Sequence, residues 1–195
     1  MKNQIKLSEV KGLAFIGGQI TSRIEADEKK NEVVKGKVKV MPPKAIKGGK
    51  IIQEELYEIG YKTDFDEKKL TKAGDIVVKL SSPYDAVYIT ENDEGILIPS
   101  FCIIVRNTGE ILISEYMAAF FNSGVYLDQI MDMVSGAAVP MITMGKIKDV
   151  YINIFDIEEQ KQIAEYFNNI SAKEELMAQI ISLEKEKLNS VLGGK

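Results

Sequence analysis

The periodicity of the sequence changes at residue 156, and this change limits the fold more than any other feature. Before it, short apolar runs are separated by turn residues, and residues 32–41 alternate valine with lysine or glycine, which predicts a half-exposed strand. After it, apolar residues recur every three or four positions among Lys and Glu, as in an amphipathic helix. We therefore predict an α+β fold in two parts: a mixed, β-rich body over residues 1–155 and a long helical, coiled-coil-like arm over residues 156–195.

Two pairs of residues in the arm have the spacing of a helix-capping box. They are Asp156 with Glu159 and Ser171 with Glu174. The pairs predict either two helices, at about 157–169 and 172–192, or one long helix kinked near Asn168.

An apolar stripe is predicted along the second half of the arm, formed by Leu176, Ile180, Leu183 and Leu188. About three heptads are short for an independent coiled coil, so the stripe should pack either on the body or on another chain. A finished β-rich body leaves little surface for so long a helix to cover. We therefore expect the arm to associate with another chain.

The body contains further predicted elements. Strands are expected at 76–80, 87–90, 96–105 and 150–155, helices at 114–121 and 126–133, and a loop at 135–140. Pro99 lies inside one of these strands and indicates a sheet edge or a bulge.

The chain contains no histidine. Catalysis by Ser-His-Asp or Cys-His groups needs an imidazole base, so both are excluded, as are metal sites that use histidine. The single cysteine, Cys102, lies in an apolar run and is expected to be a core residue. We predict a non-catalytic protein with no metal site and no cofactor of its own. An enzyme that uses carboxylate or lysine chemistry, such as Asp75 with Lys79, is kept as a weaker alternative.

The first ten residues lack the apolar segment of a signal peptide. No run approaches the roughly 20 apolar residues that a membrane-spanning helix needs. The expected location is the cytoplasm.

The net charge of −4 by itself argues against a nucleic-acid partner, but one segment is strongly basic. Residues 33–53 contain no acid and six lysines, namely Lys35, Lys37, Lys39, Lys44, Lys47 and Lys50. Such a segment neutralises DNA phosphates, or it is a lysine-bearing edge strand that prevents aggregation. The residues alone leave these two interpretations equally open.

Base recognition needs Arg, Asn, Gln or Ser/Thr side chains on loops. The candidates for DNA contact after the double glycine are Gln19, Thr21, Ser22 and Arg23, and those after the 76–80 strand are Ser81, Ser82 and Tyr84. Each of these residues, taken singly, also fits an ordinary polar loop.

Five short motifs follow one another along the chain. They are Leu7-Ser8-Glu9-Val10 before Gly17-Gly18; Leu70 to Val77 with Gly74-Asp75; the segment 112–121; Gly136 to Thr143 before Ile147 and Val150; and Glu158-Glu159-Gln160 with Ile163-Ala164. In this order they resemble the DNA-specificity (S) subunit of type I restriction–modification systems, with one target-recognition domain and one conserved helical region. The last motif is the most specific.

Two features depart from that family. Ile154-Phe155 stand where the family has one or two prolines, and the chain carries one half where the family usually carries two in tandem. The resemblance therefore implies a half-length subunit that dimerises to rebuild a reader with two lobes.

The resemblance also implies a division of labour. The body would recognise one half of a split target in double-stranded DNA, and the arm would space the lobes and bind methyltransferase subunits. S-adenosylmethionine, ATP and Mg²⁺ would be bound by partner subunits only. The arm residues expected to face another helix are Ile163, Phe167, Ile170, Leu176, Ile180, Leu183 and Leu188. The alternative function is a protein–protein adaptor that binds no DNA and dimerises through the arm.

Overall fold

A computed structural model describes residues 3–134 and 141–193, so the predicted loop at 135–140 lies outside the described residues. The strands are β1 (Asn3–Lys6), β2 (Leu13–Gly17), β3 (Gly36–Val40), β4 (Ile46–Lys47), β5 (Lys50–Ile51), β6 (Tyr57–Tyr61), β7 (Ile76–Lys79), β8 (Ala86–Tyr88), β9 (Cys102–Asn107) and β10 (Tyr151–Ile154). The α-helices are α1 (Ser114–Phe121), α2 (Gly124–Val134), α3 (Met144–Lys148) and α4 (Ile157–Leu192). The predicted α+β fold with a β-rich body and a long terminal helix is confirmed.

The centre of the body is an antiparallel sheet with strand order β2-β9-β7-β8. Its inner strand β7 is buried on both faces, which explains why Ile76, Val77 and Val78 are all apolar. Ile76 and Val78 face a core that includes α1 and α2. Val77 faces a second core, which includes residues of β4 and of the segment 96–98.

Three smaller strand pairs surround this sheet. β1 pairs with β10, β3 with β6, and β4 with β5, all antiparallel. In β3 the two lysines are exposed and the two valines are buried. The half-exposed lysine strand is therefore confirmed, because period-two alternation places its two residue types on opposite faces.

The predicted strand at 96–105 is shorter in the structure, where β9 begins only at Cys102. Residues 96–98 are held instead by β3 and the segment before β7. Leu97 donates to the Lys39 carbonyl at 2.8 Å, and Ile98 donates to the Lys69 carbonyl at 3.1 Å. The chain then turns at Pro99, whose missing N–H group removes one ladder donor.

The weaker alternative of an enzyme based on Asp75 and Lys79 is not supported by the geometry. Asp75 is 1% exposed and accepts two hydrogen bonds from Arg106. Lys79 instead lies 3.5 Å from the Asp85 carboxylate and donates to the Ile46 carbonyl at 3.4 Å. Each buried charge has its own structural partner, as burial requires.

The arm is one continuous helix of 36 residues, α4, about 54 Å long at 1.5 Å per residue. The Asp156 carboxylate caps its start by accepting from the Glu159 N–H at 2.8 Å. Of the two predicted alternatives, the single long helix is confirmed. The alternative of two helices is wrong, because Ser171 lies inside α4 and does not cap a second helix. No Gly or Pro interrupts residues 157–192, so nothing in the sequence ends the helix at Asn168.

Candidate nucleic-acid interface

The two loops predicted to contact bases lie on either side of the turn 98–101. On one side, the backbone N–H of Gln19 donates to the Ile98 carbonyl at 2.7 Å, and the backbone carbonyl of Gln19 accepts from the Ser100 N–H at 2.8 Å. On the other side, the Leu80 N–H donates to the Phe101 carbonyl at 3.0 Å. We name residues 19–23, 81–82 and 98–101 together the loop cluster.

Gly18 explains how these loops come so close. A Cβ atom at this position would lie 2.0 Å from the Pro99 carbonyl oxygen, far inside van der Waals contact. Only glycine therefore permits the contact between the two backbones, which is a known use of this residue in close backbone packing. The double glycine predicted to break the first strand thus joins two loops.

Most of the polar candidates in the loop cluster are accessible. Ser22, Arg23 and Ser82 are exposed, whereas Gln19, Thr21 and Ser81 are half-buried. Thr21 begins a single 3₁₀ turn that ends at Arg23. The side-chain oxygen of Gln19 accepts a hydrogen bond from the Lys69 ammonium at 3.0 Å. Lys69 was not among the predicted residues, and it adds a positive charge at the edge of the cluster.

Tyr84 does not belong to this accessible set. It is 2% exposed and packs in the main core with α1 and α2, and burial raises the pKa of its hydroxyl. A side chain held in the core is not presented to a base. Its prediction as a contact residue is therefore corrected to a packing role.

Phe101 is a candidate that the sequence analysis missed. Its side chain is 53% exposed, and the turn that carries it is fixed by a 2.9 Å bond from the Cys102 N–H to the Pro99 carbonyl. Periodicity placed Phe101 inside a predicted strand, where an aromatic residue is expected in the core. An exposed ring among polar loop residues is suited to stack on a base or to contact a thymine methyl group.

The six predicted lysines do not form one patch. Lys35, Lys37 and Lys39 lie on or next to β3, whereas Lys44, Lys47 and Lys50 lie on or next to the β4–β5 hairpin, which adjoins β8. Four of them have a carboxylate partner: the pairs are Lys35–Asp64 at 2.8 Å, Lys37–Glu58 at 3.0 Å, Lys44–Glu55 and Lys50–Glu175. The local excess of +6 in the sequence is therefore largely neutralised in space.

Lys39 and Lys47 are exposed and have no ion-pair partner among the residues that the structure describes. Exposed ion pairs such as Lys37–Glu58 are worth less than about 1 kcal/mol, so a phosphate competes easily for such a lysine. Lys39 also adjoins residues 96–98, which lead into the loop cluster. The structure thus favours the β3 lysines over the hairpin lysines as neighbours of the cluster.

The first turns of α4 pack on the body. Gln160 is fully buried, and its side chain accepts from the Ile113 N–H at 2.8 Å and donates to the Ile111 and Phe155 carbonyls at 2.8 and 2.9 Å. Ile163 packs against the main core, and Phe167 lies under Gly49 of the hairpin. Ile163 and Phe167 were predicted to face another chain. That prediction is wrong, because both side chains contact the body of their own chain.

The other predicted arm residues remain exposed. Their side chains are 39% to 64% exposed, and they are Ile170, Leu176, Ile180, Leu183 and Leu188. Leu188 does not continue the stripe of Leu183, because a separation of five residues turns the helix by about 140°. It lies instead on the side of Ile181, another exposed apolar residue.

The described part of the chain contains no group of three or more His, Cys, Asp or Glu residues placed to hold a metal ion. Within the same residues, no helix has the length and apolar character needed to cross a membrane.

Three solved structures share this fold. A chain from a study of complex assembly and conformational transition of the type I R-M system superposes with a TM-score of 0.70 at 16% identity, over 97% of this chain and 47% of its own length. The HsdS subunit from Thermoanaerobacter tengcongensis superposes with a TM-score of 0.64 at 19% identity. The match covers 97% of this chain and 46% of the HsdS chain. A type I restriction–modification S subunit from M. genitalium superposes with a TM-score of 0.55 at 12% identity. The match covers 95% of this chain and 43% of that subunit. The chain thus spans about half the length of these proteins.

The family relationship follows from the sequence itself. No curated protein sequence gives a significant match. The model of the family described as Type I restriction modification DNA specificity domain, however, matches residues 9–185, which is most of the chain. The match confirms the resemblance that the five motifs indicated. The chain belongs to the type I restriction–modification DNA specificity family.

Proposed function

We propose that this chain recognises a specific DNA sequence as a half-length specificity subunit of a type I restriction–modification complex. Membership of the specificity family supports this function. The observation that carries it within the molecule is the loop cluster, where backbone hydrogen bonds bring together three segments that carry polar side chains and an exposed phenylalanine.

In this proposal, side chains of the loop cluster contact base edges. Gln19, Ser22 and Arg23 supply hydrogen-bond donors and acceptors, and Phe101 supplies an apolar contact. Lys39 and Lys69 lie beside the cluster and hold the DNA backbone, which fixes the position of the body without selecting a sequence. The net charge of −4 limits non-specific attraction to DNA.

The proposal includes a homodimer that forms through the outer half of the arm. From Ala172 to Gly193 every arm residue is exposed, and apolar residues such as Leu176 and Ile180 lie among them. Exposed apolar surface of this extent favours association. Two copies would together provide the two lobes that a split target needs.

The chain itself would perform no catalysis in this complex. Methyltransferase subunits that bind S-adenosylmethionine, and a further subunit that uses ATP and Mg²⁺, would assemble on it in the cytoplasm. No catalytic histidine is available in the sequence, which supports the assignment of chemistry to partners.

The second candidate is an adaptor that binds proteins and not DNA. The observation that favours it is the pairing of four of the six segment lysines with carboxylates, which lowers the positive potential of the body.

Selection of duplexes from a random DNA pool by the purified chain separates the two candidates. A specificity subunit should enrich one sequence, and its affinity should fall steeply as salt concentration rises. Lys39→Glu should weaken binding to selected and unselected DNA alike and reduce the slope of log affinity against log salt by about 1. Lys11→Glu is the control, since Lys11 is exposed and lies outside the loop cluster. A pool that shows neither enrichment nor salt-dependent binding to the chain would favour the adaptor.

A further inference from the structure

The β4–β5 hairpin extends towards the arm. Its turn, Lys47-Gly48-Gly49-Lys50, connects two short strands of two residues each. Gly49 and Lys50 contact residues of α4 that lie well beyond its first turns. The hairpin therefore supports the arm farther along its length than the packing around Gln160 does.

The first contact is between Gly49 and Phe167. A Cβ atom at Gly49 would lie 2.8 Å from Cζ of the Phe167 ring, so the ring lies directly against the glycine backbone. Gly49 has a φ of +80°, a conformation that glycine adopts without steric cost. Both the turn and the position of the ring depend on the absence of a side chain here.

The second contact is made by Lys50. Its ammonium group donates to the Ser171 carbonyl at 3.3 Å and forms an ion pair with Glu175. From Ala172 onward all described arm residues are exposed. Lys50–Glu175 therefore joins the body to this exposed part of the arm.

The space beside these contacts is not filled. A cavity of about 460 Å³ lies between arm and body, lined by Asp85 and Asn122 on one side and by Ile170 and Glu174 on the other. Helix α1 of the body also packs on α4. The hairpin adds contacts at Ser171 and Glu175, farther along the arm than the packing around Gln160, so it restrains the direction of the arm together with α1.

We propose that the hairpin fixes the direction in which the arm leaves the body, with Gly49 and Lys50 as positioning residues that set the separation of the two half-sites read by the dimer. The second half of this inference rests on the proposed function. A small change of arm angle shifts the body of each copy relative to the other by a distance that grows in proportion to the length of the arm. Lys50 thereby acts on the spacing of the target and not on its sequence.

The chain offers a matched control for each residue. Gly48 also has a positive φ, +55°, but a Cβ there would meet nothing within 4 Å. Gly48→Ala therefore reproduces the backbone strain of Gly49→Ala without the collision with Phe167. Lys47 lies on the same hairpin as Lys50, and Lys47→Glu makes the same change of charge away from the Glu175 carboxylate.

The arm direction is measured by electron–electron double resonance between spin labels at Asn92→Cys on the body and Ser182→Cys on the arm. Both sites are exposed, and Cys102 is buried and stays unlabelled. Labelled chains are diluted with unlabelled chains so that each dimer carries one pair of labels. Gly49→Ala and Lys50→Glu should broaden or shift the distance distribution, and Gly48→Ala and Lys47→Glu should leave it as in the unaltered chain.

Exchanging the two charges is the most decisive experiment. Lys50→Glu combined with Glu175→Lys should restore most of the narrow distribution, since the ion pair is rebuilt with its signs exchanged. In the DNA selection, Lys50→Glu should retain the half-site sequence and select more than one spacer length. An unchanged distance distribution in both Gly49→Ala and Lys50→Glu would overturn the inference.

The same design separates this inference from the proposed function. If the unaltered chain selects no split DNA target, the proposed function fails, while the spin-label distances still decide whether the hairpin directs the arm. If a split target is selected and Lys50→Glu keeps its single spacing, the positioning role fails and the proposed function stands.

Discussion

The Arg106 guanidinium binds the Asp75 carboxylate through two hydrogen bonds, with an Nε–Oδ1 distance of 2.8 Å and an Nη2–Oδ2 distance of 2.7 Å. Arg106 also donates to the Leu70 carbonyl at 3.0 Å. The pair joins the turn before β7 to β9, in the middle of the sheet that supports the loop cluster. A carboxylate that is 1% exposed needs such a partner, because a buried charge without one is costly.

Arg106→Met should destabilise the body by about 3–5 kcal/mol, because it leaves the Asp75 charge buried without its partner. The free energy of unfolding is measured by urea denaturation. Arg23→Met, at an exposed position, should change it by less than about 0.5 kcal/mol. Asp75→Asn combined with Arg106→Met should recover part of the loss. A loss below about 1 kcal/mol in Arg106→Met would show that water reaches the carboxylate.

Gln160→Ala should cost about 2–3 kcal/mol, because three hydrogen bonds are lost and the Ile113 N–H is left without its acceptor. Gln162→Ala is the matched control two residues along the same helix, where the side chain is exposed, and it should be nearly neutral. Urea denaturation gives the stability, and hydrogen exchange of residues 157–164 reports whether the arm detaches. Equal stability of the two variants would contradict the role given to Gln160.

Phe101→Ala should lower the affinity for the selected duplex by about 1–3 kcal/mol, the usual cost of losing recognition of one base pair. Stability should hardly change, since the ring is 53% exposed. Tyr57→Ala removes another exposed aromatic ring, on β6 and outside the loop cluster, and should leave binding as it is. Titration of the selected duplex with each variant makes the comparison. Equal affinities of Phe101→Ala and the unaltered chain would remove Phe101 from the interface.

The exposed stripe of the arm should hold the dimer together. Ile180→Asp with Leu183→Asp places two charges on apolar positions that lie 58% and 64% exposed in the single chain, and the mass in solution should fall to that of a monomer. Ala178→Asp with Ser182→Asp places two charges on the opposite side of the helix, where both residues are exposed, and should leave the mass as before. Light scattering supplies the masses. A dimer that survives the first pair of changes must form through another surface.

Cys102 should be unreactive in the folded chain. Burial raises the pKa of its thiol to about 12, so the thiolate, which is the reactive form, is scarce at every pH below that value. A thiol reagent at pH 8 should modify the protein only as fast as it unfolds, and urea should make the reaction rapid. Fast modification of the native protein would indicate that β9 opens locally.

Several features followed from the sequence by itself. Lysine and valine alternate with period two in β3, and a strand sends such residues to opposite faces, so its exposed lysines were predictable. The Asp156 cap predicted the start of α4 within one residue, because capping depends only on near neighbours. The lack of histidine excluded whole classes of chemistry, and the motif around Gln160 indicated the family before any fold was known.

Other features required the tertiary structure. The six lysines counted as one basic segment became two groups, and four of the six have acidic partners, because Asp64, Glu58, Glu55 and Glu175 come from other parts of the chain. Tyr84 is buried and Phe101 is exposed, the reverse of what their local sequence suggested. Local pattern determines which face of an element a residue occupies, whereas burial and charge pairing depend on contacts between residues distant in sequence. For the same reason, only the fold could place the Phe167 ring against Gly49.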